Sequence, residues 1–125
     1  MNILIIEDDK LTLHALKQSL EDMGHTLSVA TNGEEGINMA ADGKYDLLLC
    51  DIMMPGISGL SLVTILRCVH LCHTPIIMMS ALNNQPLLEA AFEAGANDFL
   101  TKPFSLSNLE EKIKKFDKNS ENIQT

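Results

Sequence analysis

The sequence predicts one α/β domain built as a doubly wound parallel sheet, a βα unit repeated five times. Three observations carry that expectation. The apolar runs Ile3-Leu4-Ile5-Ile6, Leu47-Leu48-Leu49-Cys50 and Ile76-Ile77-Met78-Met79 lack polar alternation, as strands buried on both faces do. Between them lie segments whose apolar residues recur at steps of three and four, the period of a helix with one buried face. The length, 125 residues of which 46% are hydrophobic, suits one core and one domain.

Taken in order, the first strand stops at Glu7-Asp8-Asp9, and Leu13, Leu16, Leu20 and Met23 then mark the buried face of a first helix. Asp8 or Asp9 is its N-cap, and Gly24 stops it. Residues 25–30 alternate apolar Leu27 and Val29 with polar neighbours, which predicts a second strand nearer an edge. Thr31-Asn32-Gly33 turns into a small-residue helix reaching about Ala41. The third helix is expected over about 60–69, the fourth over 86–94, and Phe99-Leu100 forms the core of a short fifth strand. Leu106, Leu109, Ile113 and Phe116 line one face of a fifth helix, capped by Ser105 or by Ser107 with Glu110 as its box partner. The domain is expected to occupy 1–117, with a polar tail at 118–125.

Charge narrows the function classes. Nine Lys and Arg against seventeen Asp and Glu give a formal net charge of −8. Binding to nucleic acid or to an anionic membrane needs clustered cations, so neither is expected of this chain. No apolar stretch reaches the roughly 20 residues of a membrane helix, and no signal-peptide core is present, so a cytoplasmic location is expected. Cys50, Cys68 and Cys72 are an odd number of thiols and read as reduced.

In a doubly wound sheet ligands bind beyond the carboxyl ends of the strands, where the winding reverses. Five residues with chemical capacity fall at those ends: Glu7 and Asp8 after the first strand, Asp51 after the third, Ser80 after the fourth and Lys102 beyond the fifth. Three carboxylates gathered there repel one another, by several kcal/mol for a pair at about 4 Å and an effective dielectric near 20. Lys102 offsets one charge. An all-oxygen donor set of this kind suits a hard divalent cation that keeps several waters, which makes Mg²⁺ the natural partner.

The segments Ile5-Ile6-Glu7-Asp8-Asp9, Asp51-Ile52-Met53-Met54-Pro55-Gly56 with Gly59, Met79-Ser80-Ala81 and Thr101-Lys102-Pro103-Phe104 together resemble the receiver domain of bacterial two-component response regulators. The resemblance covers nearly the whole chain, from about Asn2 to Phe116. It implies a flavodoxin-like sheet in the order 2-1-3-4-5 and a switch rather than a turnover enzyme. Asp51 is then the phosphoacceptor, served by a sensor histidine kinase or a histidine phosphotransfer protein. Glu7, Asp8, Asp51 and the backbone carbonyl of Met53 hold Mg²⁺, and Ser80 and Lys102 contact the phosphoryl group. The Lys102-Pro103 bond is expected to be cis. Ser80 and Phe99 form the switch, Phe99 turning inward, and the face of helix four, strand five and helix five receives a downstream effector. Asn108 and Lys112 stand where many DNA-binding regulators carry the acid and arginine of a dimer contact, which weakens dimerisation through that face. Met53 and Leu82, two residues past Asp51 and Ser80, flank the approach of a hydrolytic water and imply slow loss of the phosphoryl group.

Other readings compete. The chain could be the regulatory piece of a longer DNA-binding or enzymatic regulator, although Met1 and the polar tail favour a stand-alone protein. A receiver fold without phosphorylation and a purely structural interaction module need no chemistry at Asp51. A flavodoxin-like electron carrier needs a phosphate-binding loop after the first strand, where Glu7-Asp8-Asp9 would repel it. Cys68, His70, Cys72 and His73 crowd one segment without a recognisable zinc spacing and read as thiols and surface imidazoles. His14 lies off the apolar stripe of the first helix and reads as solvated. Cys50 and the seven methionines read as packing.

Overall fold

The strands β1 (Asn2–Ile6), β2 (Thr26–Ala30), β3 (Leu47–Asp51), β4 (Ile76–Ser80) and β5 (Asp98–Thr101) pair in parallel, in the order β2-β1-β3-β4-β5, in the computed structural model of the chain. The structure describes residues 1–117, so the polar tail expected at 118–125 lies outside the described residues. Five helices connect and cover the sheet: α1 (Lys10–Asp22), α2 (Gly33–Ala41), α3 (Gly59–Cys68), α4 (Gln85–Ala94) and α5 (Leu106–Lys114). This is the expected doubly wound fold, with its order reversing between β1 and β3.

Each central strand serves two cores because neighbouring side chains point to opposite faces. On β1, Leu4 and Ile6 join Leu48, Cys50, Ile76, Met78 and Phe99 under α2, α3 and α4. Ile3 and Ile5 join Leu47, Leu49, Ile77, Met79 and Leu100 under α1 and α5, against Leu16, Leu20, Leu109 and Ile113. Burying one such side chain contributes roughly 1.5–3 kcal/mol, and a one-residue slip would exchange the two faces. That cost fixes the register, and the register fixes which residue ends each strand. The edge strand β2 is only partly covered, as its alternating sequence requires.

All five helices start on a side-chain cap: Asp9, Asn32, Ser58, Asn84 and Ser105 each accept a backbone N–H three residues on. A cap of this kind is worth about 1 kcal/mol. Two alternatives left open by the sequence are thereby resolved. Asp9 caps α1, accepting from the Thr12 amide at 3.0 Å and its hydroxyl at 2.6 Å, which leaves Asp8 free. Ser105, not Ser107, caps α5. Small boundary differences have local causes: α3 starts one residue early on Gly59, behind the Ser58 cap, and α4 starts on Gln85, behind Asn84. Phe116 lies past the end of α5 yet still packs on the same core.

On β5, Asp98 accepts from Lys112 of α5 at 2.9 Å, with Lys115 at 3.4 Å. Burial alone would raise this carboxyl, but the bonds from Lys112 and the Phe99 amide and the nearby ammonium charges hold it below its ordinary value. Lys112 is thus committed to a contact within its own chain.

Gly59 shows how closely α3 approaches the end of β3. A Cβ at this position would lie 2.7 Å from Ile52 Cα and would also strike the carbonyl oxygen of Asp51. Gly59→Ala is therefore expected to destabilise the domain by about 1–3 kcal/mol, the usual cost of overpacking, measured as a lowered urea midpoint with unchanged slope.

Candidate functional site

Ladder hydrogen bonds carry the strand register into the loops. Glu7 N donates to Ala30 O at 3.0 Å, Ile52 N to Met79 O at 2.9 Å, and Lys102 N to Ser80 O at 2.8 Å. Asp51 and Ser80 are the final residues of β3 and β4 rather than the first of the loops. Glu7, Asp8 and Lys102 follow their strands immediately, so the carboxyl edge of the sheet gathers all five.

Two of the three acids are buried: Glu7 is 0% exposed and Asp51 5%, while Asp8 is open to solvent. Lys102 Nζ donates to Glu7 Oε1 at 2.6 Å and stands 3.5 Å from Asp51 Oδ2. The other Asp51 oxygen accepts from the Met53 amide at 3.2 Å. The Lys102-Pro103 peptide is cis, as the resemblance implies.

Burial pushes the Glu7 carboxyl from its ordinary 4.5 up to about 7; the adjacent Asp51 adds to this, and Lys102 opposes it. For Lys102, burial alone would lower the ammonium. The bond to Glu7 and the two carboxylate charges more than offset it, so Lys102 is held above its usual range. One lysine is therefore stretched over two buried acids, and the site remains short of positive charge.

Oxygens of Glu7, Asp8 and Asp51 lie within 4.8 Å of one another, and Glu7 Oε2 is buried with no hydrogen-bond partner. An orphaned carboxylate oxygen facing two other carboxylates fits a hard divalent cation. No metal-capable cluster among the described residues includes Cys68, His70, Cys72 or His73.

Ser80 is fully buried and its Oγ accepts from Leu82 N at 3.0 Å, which leaves its own proton to donate. Met53 and Leu82 stand at the rim, 60% and 50% exposed. Phe99 is 6% exposed and packs in the core under α3 and α4. Cys50 is wholly buried, and burial holds its thiol far above its ordinary value, in keeping with a packing role. Two side chains that the sequence reading did not single out organise the surroundings, Thr12 at the Asp9 cap and Arg67 at the far end of the sheet. Arg67 makes bonds across up to 30 residues, which no local pattern announces.

An open α/β sheet whose switch edge carries buried acids, a hydroxyl and a bracing lysine defines the phosphoryl-receiving class of flavodoxin-like domains. Comparison with known proteins agrees. Residues 3–114 match the family described as the response regulator receiver domain. The transcriptional regulatory protein YkoG of Bacillus subtilis is 38% identical over 113 residues, covering 90% of this chain and 49% of that protein. The crystal structure of a two-component response regulator from Clostridium difficile superposes with a TM-score of 0.84 at 34% identity, covering 93% of this chain and 94% of that one. The receiver domain of a sensor histidine kinase from Pseudomonas aeruginosa, with magnesium coordinated in its active-site cleft, superposes with a TM-score of 0.84 at 27% identity over 92% and 95% of the two chains. This chain belongs to the response regulator receiver domain family, whose members are signalling switches rather than conventional enzymes. It spans about half the length of the curated relatives it matches. Among the described residues no helix is long and apolar enough to cross a membrane.

The raised Glu7 carboxyl has a measurable consequence. The folded protein holds a proton on Glu7 that the unfolded chain releases near pH 4.5, so stability falls as pH rises from about 4.5 through 7. With chelator present, the loss is expected to reach about 2–3 kcal/mol, at roughly 1.4 kcal/mol per pKa unit. Glu7→Gln flattens that slope in urea unfolding series, and excess Mg²⁺ flattens it in the unsubstituted protein. An unchanged slope in Glu7→Gln would assign it to another group.

Proposed function

We propose that Asp51 accepts a phosphoryl group from a histidine of a kinase or phosphotransfer protein, and that the modified domain engages an effector through α4, β5 and α5. The observation that carries this reading is the buried Asp51 carboxylate, held by Lys102 on one oxygen and the Met53 amide on the other, beside the unpartnered oxygen of Glu7. Such a pocket is short of positive charge, which a divalent cation would supply and an incoming phosphoryl group would then share.

An oxygen of Asp51 attacks phosphorus as the P–N bond to the donor imidazole breaks, and the imidazole leaves with the bonding pair. Glu7, Asp8, Asp51 and the Met53 carbonyl would hold Mg²⁺, which would supply charge neutralisation for the phosphoryl oxygens. Lys102 is positioned to neutralise a further oxygen, and Ser80 to donate its hydroxyl proton to another. Transfer of this kind depends on positioning and electrostatics more than on covalent assistance. The Ser80 hydroxyl holds the Leu82 amide, so turning toward a phosphoryl oxygen would alter the start of the β4–α4 loop. That loop is the first element to respond, with Phe99 on β5 as the other half of the switch. The neighbouring groove lined by Leu11, Ala15, Ala81, Pro103 and Phe104 supports a protein donor with an apolar surface beside its histidine.

The length of the relatives favours a second reading of the whole protein, in which this domain regulates a DNA-binding partner domain. The chemistry at Asp51 is the same in either case, and the domain itself makes no nucleic-acid contact.

Two outcomes test the reading. Asp51→Asn is expected to keep the fold and to abolish the mass gain of one phosphoryl group seen with a small phosphodonor and Mg²⁺; uptake at an equal rate would refute the assignment. Met53 and Leu82 offer no polar side-chain group to orient a water in line with the scissile bond. Met53→Asn combined with Leu82→Glu is expected to speed decay of the phosphorylated protein about 10-fold or more, within the span of general-base effects. Equal decay would place control of water elsewhere.

A further inference from the structure

Arg67, the last residue but one of α3, joins its helix to the α3–β4 and α4–β5 connections at the end of the sheet opposite the carboxylates. Its Nε and Nη2 donate to Gly95 O at 3.1 and 2.9 Å. Its Nη1 donates to Cys72 O at 2.8 Å and Thr74 O at 2.7 Å, and Nη2 also to Asn97 Oδ1 at 2.9 Å. The guanidinium fork has five N–H groups, and these contacts use its full donor capacity. Asn97 is held in turn: its Oδ1 accepts from Ile76 N at 2.9 Å and its amide donates to Ile76 O at 2.8 Å.

The stem of Arg67 interlocks with the end of α4. Gly95, the C-cap of α4, has φ +119°, and a Cβ there would fall 2.7 Å from Arg67 Cγ. Only glycine satisfies both the left-handed backbone and the close approach.

The other end of α4 is held very differently. Residues 81–86 are all exposed, and of the ten residues of α4 only Ala91 is fully buried. The entry to the helix is tied to the functional site through the Leu82 amide on Ser80 Oγ. One end of α4 is fastened to α3 and to the starts of β4 and β5, while the end nearest Ser80 lies on the surface.

We propose that Arg67 is a positioning residue, the fixed pivot about which α4 tilts from its Ser80 end. The direction of use rests on the phosphoryl-switch reading of the site; the pivot itself is a property of the unmodified fold. With its C-terminal end pinned, α4 converts a change at the β4–α4 loop into a displacement of its exposed first turn, Gln85 and Pro86, rather than a loosening of the whole helix.

Amide hydrogen exchange on the full chain tests this. In the unmodified protein the amides of 81–88 are expected to exchange at least about 10-fold faster than those of 94–97, since local opening follows local fastening. Arg67→Gln is expected to speed 94–97 by about 10-fold or more and erase the difference, leaving β1 unaffected. Asn97→Ala, which removes one acceptor only, gives a smaller effect of the same pattern should Arg67→Gln fold poorly. A merely stabilising arginine would raise exchange in all elements together and preserve the asymmetry. Protection of 94–97 retained in both variants, or an unsubstituted α4 protected evenly along its length, would overturn the pivot. Intact mass after treatment with a small phosphodonor and Mg²⁺ is read on the same samples. Missing phosphoryl uptake would count against the role of Asp51, while the exchange pattern of the untreated protein still decides the pivot.

Discussion

Two acids buried side by side in a protein interior need a cation, and in this fold the cation arrives from 95 residues away in the sequence. Lys102 reaches Glu7 at 2.6 Å and Asp51 at 3.5 Å, and the balance it strikes is incomplete. Burial still drives the Glu7 carboxyl upward, and one of its oxygens has no partner. A protein selected only for stability would replace such a group with an apolar one, because a buried acid that is only partly satisfied costs more than it returns. Its presence makes sense in a site that receives further charge: a divalent cation to answer the carboxylates, and a phosphoryl group to answer the cation and Lys102.

The remainder of the architecture keeps that unfavourable cluster in place. Parallel strands buried on both faces tolerate no slip, so Asp51 and Ser80 stand at the ends of β3 and β4 because the apolar residues before them are distributed between two cores. Gly59 brings α3 against the backbone at Asp51, and Asp9 takes the cap of α1 so that Asp8 remains open. The stable part of the domain is thus organised around a pocket that contributes little stability of its own.

The elements facing a partner are held unevenly. Asp98 ties α5 to β5 through Lys112 and Lys115, while Arg67 bonds the far end of α4 and the Leu82 amide on Ser80 ties its entry. Lys112 is thereby engaged within its own domain. On the proposed pivot, a face with one tied helix and one whose entry lies on the surface would read a change at Ser80, because small displacements in packed structure are expressed where packing is thinnest.

Sequence alone determined the fold class, the five βα units and the identity of Glu7, Asp8, Asp51, Ser80 and Lys102. Buried parallel strands announce themselves as unbroken apolar runs, and residues with chemical capacity stand out where such runs end. It left open which acid caps α1 and which serine caps α5, since both candidates offer the same chemistry and only the backbone path distinguishes them. It implied a switch role for Phe99, and tertiary packing places that ring in the core. The unpartnered oxygen of Glu7, the commitment of Lys112 to Asp98 and the five bonds of Arg67 belong to the tertiary structure entirely. Each depends on groups brought together across the sheet, and local periodicity carries no record of distances that only the folded chain creates.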